Sequence, residues 1–117
     1  MSTTNDSLRD MQARLRQFNR ERDWDQFHCP RNLAMSLSVE AAELLECFLW
    51  TRDDESIPAT KQTAVAEEAA DVLICLLNFC ERANIDLPKA FADKIEKNAA
   101  KYPVAKARGS REKYDAL

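Results

Sequence analysis

NLAMSLSVEAAELLECFLW, residues 32–50, decides the fold of this chain. It contains neither Gly nor Pro, and it shows none of the strict apolar-polar alternation that a half-buried strand requires. Wound at about 100° per residue with Glu40 at zero, Glu43 falls near 300° and Glu46 near 240°. Ser36 and Cys47 share that arc, while Met35, Leu37, Leu44, Leu45, Phe48 and Leu49 occupy the rest. The stretch therefore predicts an apolar helix over residues 31–50 that carries one acidic stripe and no cation of its own.

Working outward, Leu8, Met11, Leu15 and Phe18 recur at helical spacing and predict an amphipathic first helix over 6–20, capped by Asp6 or Ser7. RERDWDQFHCPRN, residues 20–32, breaks the period and reads as a connector with one short helical turn, Pro30 suiting the start of the next helix. Residues 51–60 (TRDDESIPAT) form a polar loop, and 61–83 form a third helix with no basic residue between Lys61 and Arg82. In NIDLP, residues 84–88, Asp86 is placed to cap a last helix over 88–101, with Pro88 in its first turn. The tail YPVAKARGSREKYDAL is polar and reads as extended, or as ordered only against a partner. With one Gly in 117 residues and no strand pattern, the chain reads as a single all-α domain over 1–117, an antiparallel bundle of four to five helices.

The third helix repeats the acidic device. Glu68 and Asp71 are three residues apart, Glu67 flanks them, and Cys75 and Asn78 share their face. Consecutive helices joined by a short loop pack antiparallel, which brings the two stripes together. Four or five facing carboxylates repel one another unless they are protonated or neutralised. A hard divalent cation answers that need: Glu-x-x-Glu followed by Glu-x-x-Asp supplies only oxygen, which suits Mg²⁺ and disfavours Zn²⁺. A lone Glu-x-x-Glu is ordinarily a solvated face, and it is the repetition on adjacent apolar helices without basic partners that points to metal. A di-iron bundle lacks its Glu-x-x-His ligands here, because the single histidine, His28, lies in the connector.

A metal held by carboxylates with open positions polarises phosphoryl oxygens and lowers the pKa of bound water, the chemistry of phosphoanhydride hydrolysis. Lys94, Asn98 and Lys101 share one face of the last helix, where they offer cations and an amide to phosphates; alone they read as a solvated face. Trp24 and Trp50 lie in the connector and at the end of the acidic helix, and either can stack a base, although a Trp at a helix end is more commonly core or interface.

Composition narrows the partners. With 45% hydrophobic and 32% charged residues the chain reads as globular, and its net charge of −3 argues against a nucleic-acid polymer as partner. No run approaches the roughly 20 apolar residues a bilayer span needs, so the reading is a soluble, cytoplasmic protein. Cys29, Cys47, Cys75 and Cys80 form no CxxC pair and read as reduced thiols.

RDWDQFHCPRNLAMSLSVEAAELLECFLW, EEAADVLICLL, DLPKAFADKIEKNAAKYP and ARGSREKYDAL, together covering about residues 20–117, resemble the all-α nucleoside triphosphate pyrophosphohydrolases of the MazG-like group, in particular the dCTP pyrophosphatase branch. The resemblance implies a helical bundle assembled as a homodimer or homotetramer, its active site shaped partly by a neighbouring subunit. It further implies Mg²⁺-dependent cleavage of a nucleoside triphosphate between the α and β phosphates. Glu40, Glu43, Glu68 and Asp71 match the family's metal-binding and catalytic acids. Trp24 and Trp50 match base-holding positions, His28 and Asn32 lie in the matching segment, and Lys94, Asn98, Lys101, Tyr102, Arg108 and Lys113 match the part that approaches the phosphates. Val39 and Ala42 stand where the family often has Gly, and Cys75 where Tyr is common, which bears on base specificity.

The leading expectation is a Mg²⁺-dependent pyrophosphohydrolase of dCTP or related deoxynucleotides that serves nucleotide-pool housekeeping, with Glu43 or Glu46 orienting the attacking water. Two alternatives stand beside it: a dUTPase-like member of the same all-α superfamily, and a non-enzymatic helical dimerisation or binding module whose acidic stripe docks a basic partner.

Overall fold

A computed structural model describes residues 7–117. Among the described residues there are five α-helices: α1 (Leu8–Glu21), α2 (Pro30–Glu46), α3 (Gln62–Arg82), α4 (Leu87–Lys101) and α5 (Val104–Ala107). Short 3₁₀ turns occupy Asp25–Phe27, Ala59–Lys61 and Tyr114–Ala116, and no strand occurs among the described residues. No described helix is long and apolar enough to cross a membrane.

The caps follow local chemistry. Ser7 caps α1 by accepting a hydrogen bond from Asp10 N at 3.1 Å; Asp6, the other candidate, lies outside the described residues. Helices α1 and α3 both end through a residue in the left-handed region, Asp23 (φ 53°) and Asn84 (φ 55°). In each case an amide reaches back to the last turn, Trp24 N to Asn19 O at 3.0 Å and Ile85 N to Cys80 O at 2.9 Å. Asp and Asn tolerate that conformation better than most residues, so these ends are written in the local sequence.

Helix α2 ends differently from the expectation. It stops at Glu46 rather than running to residue 50, and Cys47–Trp50 turn through bonds such as Phe48 N to Leu45 O at 2.9 Å. Trp50 takes φ 68°, an unusual conformation for an aromatic residue, and is 99% exposed. Lys61 Nζ reaches Cys47 O at 3.4 Å and so places a cation at the carbonyl end of α2.

The chain divides into two compact units, Met1–Ile85 and Asp86–Leu117. In the first, α2 packs chiefly on α3, and α1 adds a smaller contact with α3. Cys47 meets Lys61, Glu40 meets Glu68 and Asp71, and His28 meets Arg82, so positions fall along one segment as they rise along the other. That register is antiparallel. Helix α1 is likewise antiparallel to α3, through Arg16–Glu81 at 2.8 Å and Asn19–Asn78 at 2.8 Å. Leu33, Leu77 and Cys80 are buried in this unit.

In the second unit, Asp86 caps α4 by accepting from Lys89 N at 3.2 Å. The tail is not extended: α5 forms after Pro103, and Tyr114 packs edge-on to Tyr102 with ring centroids 6.1 Å apart. Pro103 presets the backbone for a helical start, and the aromatic pair gives the last turn something to pack on.

Candidate functional site

The antiparallel register of α2 and α3 turns two separate sequence stripes into one cluster. Glu40, Glu68 and Asp71 each present a carboxylate oxygen, and these atoms all lie within 4.8 Å of one another. Glu43, one turn after Glu40, adjoins both Glu40 and Glu68 closely enough to raise their pKa values. Burial is the first cause of the rise at Glu40, followed by the hydrogen-bonding contact with Glu43 and then the charges of Glu43, Asp71 and Glu68. At Glu68 burial again leads, with the charge of Glu43 next. Among the described residues none of these four acids has an ion pair with Lys or Arg.

Glu40 and Glu68 are half-buried, yet Oε2 of each is sealed from solvent and has no hydrogen-bond partner. A buried carboxylate oxygen without a donor is costly, and two acids of one cluster that each carry such an oxygen leave a place for a cation. The donor set, all oxygen and multiply charged, fits a hard divalent ion such as Mg²⁺. Glu46 and Glu67 are exposed and neither is among the acids whose oxygens meet, whereas Glu43 adjoins Glu40 and Glu68.

One turn from the acids, toward the N-terminus of α2 and the C-terminus of α3, Ser36 and Cys75 open onto a cavity of about 290 Å³. Trp24, His28 and Asn32 border the same space, so three of the expected substrate residues are gathered into one pocket. Trp24 is held there edge-on to Phe18, with ring centroids 5.5 Å apart and planes at 73°. Asn32 also lies with Ser36 and Glu40 along a second, shallower cavity, which makes α2 a continuous wall from pocket to acids. Burial first, then the charges of Glu40 and Asp71, push the Cys75 thiol up, keeping it protonated and unsuited to act as a nucleophile.

Trp50 lines none of this pocket and projects into solvent from its turn. Lys94, Asn98, Lys101, Tyr102, Arg108 and Lys113 all belong to the second unit. There Lys101 Nζ lies 4.9 Å over the Tyr114 ring.

One pocket residue escaped the sequence reading. Asn19 is the buried polar residue among those described, and its side chain borders the cavity. The signal was weak: at about 100° per residue Asn19 falls about 20° beyond Leu8, at the edge of the apolar arc of α1 rather than on its polar face.

A family description matches residues 35–117 as MazG-like. The chain belongs to the MazG-like family. It is 42% identical over 115 residues to dCTP pyrophosphatase 1 of Mus musculus, spanning 95% of this chain and 68% of the mouse protein. For dCTP pyrophosphatase 1 of Homo sapiens the identity is 41% over the same spans. Its fold is similar to the crystal structure of a pyrophosphatase from Archaeoglobus fulgidus, with TM-score 0.77 and 40% identity over 88% of this chain and 98% of that one. Membership of a family with these relatives agrees with the all-helical architecture expected from the sequence.

Proposed function

We propose that this MazG-like protein is a Mg²⁺-dependent nucleoside triphosphate pyrophosphohydrolase that converts dCTP or a related deoxynucleotide to the monophosphate and pyrophosphate. One observation carries the reading: two acids that each hold a sealed, unpartnered carboxylate oxygen belong to a cluster one helical turn from a pocket of nucleoside size. The relatives named dCTP pyrophosphatase 1 support the substrate class.

Glu40, Glu43, Glu68 and Asp71 would hold the cation. When bound, it polarises the phosphoryl oxygens and acidifies a water. The chain's own residues then divide the remaining work. Glu43, adjoining both Glu40 and Glu68, would accept a proton from the attacking water and orient it. Trp24 offers a ring face or edge to the base, while His28 and Asn32 offer polar groups along the same wall. Lys94, Asn98, Lys101, Tyr102, Arg108 and Lys113 supply the donors for the phosphates, a role that rests on the family resemblance and on their chemistry.

Self-association belongs to the same reading, with the chain forming a homodimer or homotetramer. Met35, Val39, Leu45 and Leu49 on and just after α2 are each more than half exposed, and Trp50 is fully so. Apolar surface of that extent on the helix carrying the acids favours an interface beside the site. In the assembly Trp50 would then face a neighbouring subunit's pocket.

Pyrophosphate release across dCTP, dUTP, dTTP and dATP, with Mg²⁺ and with chelator, tests the function. Glu43→Gln and Asp71→Asn should keep the helical circular dichroism spectrum and lose turnover by about 100-fold or more. Either variant retaining full activity overturns the assignment of the acids.

A further inference from the structure

Asn19, 5% exposed, donates Nδ2–H to Asn78 Oδ1 at 2.8 Å across α1 and α3. Among the described residues the other polar atoms of this pair have no protein partner. They are not sealed from solvent without one, as Glu40 Oε2 and Glu68 Oε2 are. Both side chains border the cavity that holds Trp24, His28 and Cys75. The pair therefore keeps hydrogen-bonding capacity that a ligand in the cavity can use. The tie between α1 and α3 is already made by the two-pronged Arg16–Glu81 pair, at 2.8 and 3.1 Å, and the apolar side chains around it.

Placement adds a direction. Asn78 lies two turns beyond Asp71 on α3, about 10 Å along the axis, with Cys75 between them. A nucleotide with its phosphates at the acids would lay its sugar past Cys75 and reach the amide pair with the edge of its base. In this orientation the pair leaves N–H groups of Asn78 and Oδ1 of Asn19 without a protein partner, a donor and an acceptor that the edge of a base can meet. Cytosine offers the complement, an accepting ring N3 beside a donating 4-amino group. Uracil and thymine offer the reverse, and reading them would require both amides to turn over together, because turning one alone sets oxygen against oxygen or N–H against N–H.

We propose that the Asn19–Asn78 amide pair is the specificity-determining reader of the base edge and selects a 4-aminopyrimidine nucleotide. This rests on the pyrophosphohydrolase reading above. A site that hydrogen-bonds one edge disfavours the reversed edge, which meets donor with donor and acceptor with acceptor unless both amides turn.

The test compares full-length wild type with Asn78→Asp and Asn19→Ala. Asn78→Asp is isosteric and keeps the oxygen that accepts from Asn19, but replaces the donor facing the base with an acceptor. For dCTP, kcat/KM should fall on the order of 10- to 100-fold, mainly through KM, while dUTP and dTTP change by less than about 3-fold. Asn19→Ala should move the ratio in the same direction, and its melting curve controls for folding. An equal loss for every base, or a loss confined to kcat, overturns the proposal and leaves the hydrolase reading intact.

Calorimetric binding of dCMP and dUMP to metal-free protein needs no turnover and separates the two readings. If wild type splits no triphosphate, the hydrolase reading fails, and a dCMP preference abolished by Asn78→Asp still supports the base reader. A preference unchanged by that variant overturns it.

Discussion

Leu77→Ala probes the packing that holds the acid-bearing helix. Leu77 is 3% exposed on α3, so nearly its whole side chain is withdrawn from water. Truncating a buried Leu to Ala costs roughly 2–5 kcal/mol, and the position in that range depends on how well the space refills. Leu77 also borders a cavity of about 170 Å³ whose walls include Arg16, Asn19, Glu81 and Arg82. Water can enter a new void beside such polar walls, which places the expected loss toward the lower end, about 2.5 kcal/mol. For a chain of this length that corresponds to a melting temperature lower by about 10 °C. Urea titration followed by circular dichroism should show the midpoint falling with the slope unchanged. Activity per folded molecule should persist at 25 °C, since Leu77 lies six residues beyond Asp71 and outside the acid cluster. A loss below about 1 kcal/mol would refute the claim that α3 is held by a packed interior at this point.

The acid cluster predicts that millimolar Mg²⁺ raises the melting temperature of wild type, because a ligand bound to the folded state stabilises it by mass action, and that Asp71→Asn abolishes the response. An equal shift in both proteins would place the cation elsewhere. The Arg16–Glu81 pair predicts the sign of a small acid effect. The Arg16 side chain, by hydrogen bonding first, holds the Glu81 carboxyl below its ordinary value of 4.5. Its contribution is therefore present above pH 4.5 and lost as pH falls through the lower folded-state value. Both side chains are 43% exposed, so solvent screening keeps the effect below about 1 kcal/mol. Denaturant midpoints at pH 6 and pH 3.5 should differ slightly less in Glu81→Gln than in wild type, and a larger difference in the variant would reverse the assignment.

Much of the site was legible because its spacing is short-range. Glu40 and Glu43 lie within one turn of α2, Glu68 and Asp71 within one turn of α3, and helical geometry alone puts each pair on one face. Asp86 announced the start of α4 by residue type, as did Ser7 for α1. The end of α2 was not legible in the same way. Cys47–Trp50 continue the apolar composition of the helix, and nothing in their residue types marks the turn that Trp50 completes at φ 68°. The tail reads as polar and featureless, yet Tyr114 finds Tyr102 across the short α5, a contact between residues twelve positions apart.

What the sequence determined by itself is the four longer helices, α1 to α4, and the acids each carries, because both follow from periodicity within a few residues of chain. What only the tertiary structure decided is which acids meet, which are left out, and what lies beside them. The antiparallel register selected Glu40, Glu68 and Asp71 with Glu43 and turned Glu46 outward to solvent. It also set Asn19 against Asn78 at the far end of the same pocket, 59 positions away in sequence. No local pattern encodes such a pairing; it follows from how the apolar faces of α1, α2 and α3 bury one another.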